Sequence, residues 1–368
     1  MVEYFKKQFP AYYFLIALLC TSLVFFYMLD KKEKVLKEVI LNGKSTNGVV
    51  GAYSGTGSGV NGQEANNNQG AASKQNAAPA SQKNEKRVVR SSSEGFTRPI
   101  LLIETTTPAA ELSTLDNSLK LIIDAGKQSG KVQSASVYIN DMDNDNWIEV
   151  NDTEGYYPGS LMKLAVFMCY LKKSEEHPEI LNKQLVLDNN VEVPGQSYKD
   201  VTIRPNTPYK VSDLFYPMIV RSDNFATLLL NRELDIDELN KLFMTLGVKK
   251  MDMQNIRYTI TASDYSKFMR VLYNATYLNV KNSQYALTLL SNSTFTRGLT
   301  RELPSNVVVA HKFGENVSGN VRQLHESGIV YTGAHTYLIT IMTKGQKVQD
   351  LADVISDISS QAYQFFKP

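Results

Sequence analysis

Cysteine is scarce in this chain: 368 residues hold two, Cys20 and Cys169. They lie in unlike surroundings, an apolar N-terminal run and a core-like helical stretch. No disulfide framework and no metal-ligating cluster is therefore expected, and no cofactor. Excess charge is missing too. Lys and Arg number 39 against 37 Asp and Glu, a formal net charge of +2, which leaves no electrostatic footprint for nucleic acid. From about Asn42 to Gly95 large apolar residues are almost absent, and Gly, Asn, Ser, Ala and Gln take their place. Such a segment buries too little surface to offset its ordering entropy, which excludes a core of its own and leaves a flexible tether. Gly-rich coil of roughly fifty residues spans roughly 40 Å root-mean-square. Lys83, Lys86, Arg87 and Arg90 make its end basic, read as a solvated linker rather than a binding patch.

Only one apolar run is long. Phe9 to Leu29 is interrupted by little more than Thr21 and Ser22, and about 20 such residues cross a bilayer core. Lys6 and Lys7 precede it while Lys31, Lys32 and Lys34 follow, so the positive-inside rule does not settle its orientation. A cleaved signal peptide is the rival reading. The run is long for one, and no small-residue cleavage site follows directly. The expected organisation is a cytoplasmic N-terminus over 1–8, a retained single-pass anchor over 9–29, a low-complexity linker over 30–96 and a folded head over 97–368.

Ser160 and Lys163, in Pro158-Gly159-Ser160-Leu161-Met162-Lys163, form the only Ser-x-x-Lys in the chain. Three residues apart on a helix, the two side chains share a face, roughly 5–6 Å apart at Cβ. There an amine can take a hydroxyl's proton. Pro158 and Gly159 suit a sharp helix start, which leaves Ser160 among backbone N–H groups that favour negative charge. Leu164 to Leu171 is apolar all round, as a buried helix should be. Burial disfavours an ammonium, which makes Lys163 a candidate neutral base. Alone, the tetrapeptide reads better as a helix start with a chance lysine. Two further motifs change that reading. Ser222-Asp223-Asn224 lies between the apolar run Leu214–Val220 and the helical stretch Phe225–Leu230. His311-Lys312-Phe313-Gly314 ends the β-branched run Val307–Val309.

In order, these motifs resemble the Ser-x-x-Lys, Ser-Asp-Asn and Lys-Thr-Gly signature of class A β-lactamases and penicillin-binding proteins. From about Pro108 to the C-terminus the chain is similar to the class A β-lactamase-related serine hydrolases, within the penicillin-recognising serine enzymes. Tyr209–Leu214 resembles that family's approach to its second motif, and Gly328–Tyr331 and Tyr337–Thr343 resemble its last two strands. The resemblance implies an α+β fold, a five-stranded antiparallel sheet flanked by helices beside an all-helical lobe, with the nucleophile in the seam. It implies Ser160 as nucleophile, Lys163 as general base and Ser222 as proton carrier to the leaving nitrogen. Asn224 would bind the substrate's amide side chain, and Lys312 would face the substrate carboxylate. Gly314 would leave room along the strand edge. The backbone N–H groups of Ser160 and Glu315 would form the oxyanion hole. Substrates would be β-lactams or peptidoglycan D-alanyl amides, and the head would stand outside a bacterial cytoplasmic membrane.

The residues themselves predict less. Leu112, Leu115, Leu119, Ile122 and Ile123 mark a helix over 113–127. Ala135–Ile139 and Trp147–Val150 flank an Asp/Asn-rich loop, a β-hairpin pattern without the glycine and glutamate of a calcium loop. A mostly helical region runs from Ser160 to about Leu299, then strands near 306–313, 326–332 and 336–343, then a helix bearing Leu351, Val354, Ile355 and Ile358. The first and last strands must therefore meet in one sheet.

Two departures from the family pattern stand out. Phe313 occupies the position of a hydroxyl residue that helps bind the substrate carboxylate, with Arg322, expected on an exposed loop, as a possible substitute. Class A β-lactamases also carry a glutamate that activates the deacylating water. Between Leu246-Gly247 and Thr261–Asp264 this chain has no glutamate, only Asp252, read by default as a solvated loop residue. Slow deacylation is the expectation, and with it a peptidoglycan D,D-peptidase-like enzyme or a non-turnover sensor as alternatives. His311, His325 and His335 suggest a triad, but their strand positions fit structural or surface roles better.

Overall fold

The structure, a computed structural model, describes residues 86–90, 100–105, 108–188, 203–250 and 258–368, all within the compact unit Pro79–Pro368. The expected anchor over 9–29, most of the linker, Cys20 and Asp252 lie outside the described residues. Among the described residues no helix is long and apolar enough to cross a membrane.

The first element corrects the sequence reading. Lys86–Arg90 (β1) pairs antiparallel with Ile100–Thr105 (β2), so the basic end of the expected linker is strand and the head begins before residue 97. Val88 and Val89 supply the β-branched pair, too short a run to stand out among polar neighbours. Strand β2 buries Leu101 and Leu102, and Arg270 Nη2 donates to Ile103 O at 2.9 Å. The predicted helix follows as α1 (Ser113–Gln128), burying Leu115, Leu119 and Ile123. The predicted hairpin is β3 (Ser134–Asp141) and β4 (Trp147–Val150). Asp141 closes its loop by accepting from Asp143 N–H and Asn144 Nδ2.

A 3-10 turn at Gly159–Leu161 opens α2 (Met162–Glu176), in which every residue from Lys163 to Leu171 is buried. This is the central helix of the lobe. A two-stranded ribbon, β5 (Gln184–Val186) with β6 (Pro208–Lys210), interrupts the region expected to be helical. Then come α3 (Val211–Val220), α4 (Asn224–Glu233), α5 (Ile236–Thr245), α6 (Ala262–Tyr273) and α7 (Val280–Ser291). Phe167 on Phe215 and Phe243 on Phe268, at ring separations of 4.8 and 5.3 Å, tie α2 to α3 and α5 to α6. Cys169 is buried here with a free thiol.

The last elements are β7 (Val308–Ser318), β8 (Val321–Tyr331), β9 (Thr336–Gly345) and α8 (Val348–Phe366). Strand order is β4-β3-β9-β8-β7, antiparallel throughout, with Val137 opposite Ile341 where first and last strands meet. Leu115 and Leu119 of α1 and Leu351 and Ile355 of α8 share one core with Ile139 and Ile341 of the sheet. The helical lobe forms a separate core around α2. Strands β7 and β8 are longer than expected and meet at Gly319-Asn320, where Gly319 has φ of 60°. A two-residue hairpin turn demands such a glycine, and that was the overlooked signal.

Candidate active site

The turn carrying Ser160 is in backbone contact with β7. Gly159 has φ of 54°, and a Cβ there would fall 2.2 Å from Glu315 O. A Cβ on Gly314 would fall 2.3 Å from Pro158 O and 2.9 Å from Leu161 N. Neither position has room for a side chain, and this closeness sets the Glu315 peptide beside the half-buried Ser160.

Strand β8 fixes the approach to that turn. Tyr157 N–H donates to Gln323 Oε1 and Tyr157 O accepts from His325 Nε2, both at 3.0 Å. His325 Nδ1 accepts from Thr343 N–H at 3.2 Å, so these partners assign the proton to Nε2. Burial pushes this imidazole down to about 4, although its backbone hydrogen bonds act the other way. Since the folded value lies below the ordinary 6.5, the stabilisation is complete above about pH 6.5 and is lost as pH falls towards about 4. Urea midpoints measured from about pH 7 to about pH 4 should therefore decline more steeply for the wild type than for His325→Gln. Parallel curves would contradict this role.

Ser222 lies between α3 and α4 with φ of 55°, a costly conformation for a residue with a Cβ. Asp223 caps α4, its Oδ1 accepting from Phe225 N–H at 2.7 Å and Ala226 N–H at 3.0 Å. Lys163 Nζ donates to Ser222 O at 2.5 Å, Asn224 Oδ1 at 2.7 Å and Ser222 Oγ at 3.2 Å. Lys312 Nζ reaches the same hydroxyl at 2.9 Å and Phe313 O at 3.0 Å. Burial brings Lys163 down to about 7, against the pull of the Asp223 charge. Lys312 is fully buried and held well below the ordinary lysine range, by burial first and then by the neighbouring Lys163 charge, with Glu326 opposing. Three distant motifs thus meet at one hydroxyl.

Other predicted residues fall elsewhere. Arg322 stands on β8, not on an exposed loop, and pairs with Val317 four positions from the Phe313–Glu326 pair. At strand spacing that is about 13 Å along the sheet from the position of a hydroxyl at 313. The three histidines form no triad: His311 meets Glu326 Oε1 at 2.6 Å, His325 serves Tyr157, and His335 faces Asp143 at 3.6 Å. Phe313 is buried, its ring stacked on Phe295 at 4.3 Å and 16°, with Lys312 Nζ also 4.3 Å from its centroid. Sequence reasoning missed Phe295, Gln323 and Glu326. Glu326 accepts Leu299 N–H at 2.8 Å, and a Cβ on Gly298 would collide with its Oε2 at 1.8 Å.

Residues 114–366 match the Beta-lactamase enzyme family, which covers more than half the chain, and the chain belongs to that family. No curated protein matches it. Solved structures with a similar fold include the β-lactamase of Sphaerobacter thermophilus DSM 20745, at 19% identity and TM-score 0.59, covering 68% of this chain and 97% of that one. The structure of PBP-A is 20% identical at TM-score 0.58, covering 69% and 96%. A β-lactamase from Chitinophaga pinensis DSM 2588 is 15% identical at TM-score 0.60, covering 68% and 99%. The fold is thus β-lactamase/transpeptidase-like, as the motifs imply.

Proposed function

We propose that the chain is a serine hydrolase that forms an acyl-enzyme at Ser160 with β-lactam or D-alanyl-type amides and releases it slowly. The supporting observation is the convergence of Lys163 Nζ and Lys312 Nζ on Ser222 Oγ, beside the turn that holds Ser160. With a pKa near 7, Lys163 is available as the amine that takes the Ser160 proton while Oγ attacks the carbonyl carbon. The new C–O bond pushes an electron pair onto the carbonyl oxygen, which the N–H groups of Ser160 and Glu315 receive. When the pair returns, the C–N bond breaks, and the proton passes from Lys163 through Ser222 to the leaving nitrogen. Asn224 orients Lys163 and binds the substrate's amide side chain; Gly314 lets β7 press against the turn that holds Ser160. Water then cleaves the ester and restores the Ser160 hydroxyl.

No glutamate stands between Gly247 and Thr261 to activate that water. This favours a D,D-peptidase-like enzyme or a single-turnover sensor over an efficient β-lactamase. With Phe9–Leu29 as a retained anchor, the head would face peptidoglycan outside a bacterial cytoplasmic membrane. The test is intact mass of the full-length chain after incubation with benzylpenicillin, alongside the burst of a chromogenic cephalosporin. About one equivalent of adduct on Ser160, absent in Ser160→Ala, is expected. Sustained hydrolysis of many equivalents would overturn slow release, and an adduct persisting in Ser160→Ala would overturn the nucleophile.

A further inference from the structure

We propose that Tyr265 and Gln323 are positioning residues for the chemistry at Ser160: gripping its turn from the two ends, they aim the Ser160 N–H at the point that the Glu315 N–H also serves. The inference rests on the acyl-enzyme reading above and concerns side chains that touch no substrate. Both are buried, Tyr265 at 1% exposure and Gln323 at 5%. Tyr265 belongs to α6 in the helical lobe, Gln323 to β8 in the sheet.

Tyr265 acts through two peptide groups. Its hydroxyl donates to Leu161 O at 2.9 Å, which fixes the plane of the peptide group that Leu161 shares with Met162. The N–H of that group, on Met162, donates to Gly159 O. That oxygen belongs to the peptide group that carries the Ser160 N–H. Swinging the Ser160 donor therefore means turning both planes against the Tyr265 bond. Burial pushes the Tyr265 phenol up, so the donor keeps its proton at neutral pH.

Gln323 holds the other end. Its Oε1 accepts from Tyr157 N–H at 3.0 Å, while Tyr156 O, in the same peptide group, accepts from Ile260 N–H at 2.9 Å. In the sheet Gln323 lies opposite Asn316 and His325 opposite Gly314, the two neighbours of Glu315. The stretch of β8 that grips the turn is thus the stretch that pairs with the strand bearing the second donor. Such donors stabilise a developing oxyanion only when they are aimed at it beforehand.

The experiment follows the full-length wild type and the variants Tyr265→Phe, Gln323→Met and Gln323→Glu, with thermal unfolding measured on each. One readout is the rate of Ser160 acylation by benzylpenicillin, from intact mass. The other is the dissociation constant of phenylboronic acid, whose tetrahedral adduct on the Ser160 oxygen sets an oxygen between the two N–H groups. Tyr265→Phe and Gln323→Met should each slow acylation about tenfold and weaken boronic acid binding by about the same factor. Gln323→Glu keeps an acceptor for Tyr157 N–H and should stay within about threefold of the wild type. Variants that melt earlier yet acylate and bind the boronic acid at parental levels overturn the proposal, leaving a structural role alone. Slowed acylation with unchanged boronic acid affinity overturns it too, as does a Gln323→Glu no faster than Gln323→Met. With the wild type acylated, those outcomes strike this inference only. A wild type that benzylpenicillin does not acylate at Ser160 overturns the acyl-enzyme reading and this inference together.

Discussion

Replacing Lys163 by alanine is expected to slow Ser160 acylation at pH 7 by about 10²–10⁴-fold, the usual contribution of a positioned base. A serine hydroxyl does not ionise near neutral pH, so attack needs an amine able to accept its proton. Lys163 is buried on the helix that begins with the Ser160 turn, and that burial brings it down to about 7. The base is the neutral form. Acylation in the wild type should therefore rise with pH, with a midpoint near 7, and flatten above it. Lys163→Arg retains donors to Ser222 and Asn224 but stays charged, so it should be nearly as slow as the alanine variant. Adduct formation followed across pH for the three proteins separates lost basicity from lost structure. A near-normal rate in Lys163→Ala would remove the base.

The second large effect is expected at Gly314. An added methyl would lie 2.3 Å from Pro158 O and 2.9 Å from Leu161 N, both backbone atoms that have no rotamer to escape through. Gly314→Ala must push β7 away from the Ser160 turn, and with it the Glu315 N–H from the Ser160 N–H. Displacements of about 1 Å among reacting groups cost about 100-fold in rate, and acylation should fall by that order. Thermal unfolding measured beside the acylation rate shows whether the variant still folds. A folded Gly314→Ala that acylates at the parental rate would contradict the contact.

Much of this architecture is legible from residue spacing. The helix at Leu115, Leu119 and Ile123, the hairpin around Asp141–Asn146 and the final helix at Leu351–Ile358 each follow from one periodicity. Lys163, Ser222 and Lys312 were legible only as motifs, because nothing local says that three distant segments meet. The stretch from Glu315 to His325 was not legible. Its polar residues, Gln323 and His325 among them, look like a loop, yet they are buried where they hold Tyr157. Strand β1 escaped for the opposite reason: two valines amid lysines and arginines carry little weight until Leu102, opposite Val89, gives one of them a surface. Phe313 was recognisable as a substitution. Its stack with Phe295 depends on a tertiary approach that spacing does not encode.

The pairing of β3 with β9 has a consequence for biogenesis. Ser134 lies opposite Lys344, so the middle of the sheet closes only after Lys344 has left the ribosome. Such distant pairing makes for slow assembly. The helix that bears Ser160 emerges long before β9, and a nascent chain that stops short of Thr336 has β7 and β8 but no β9 to join them to β3. Loss of β9 would thus part the strand pair that carries Lys312 from the strand that follows α1, although both lie earlier in the sequence.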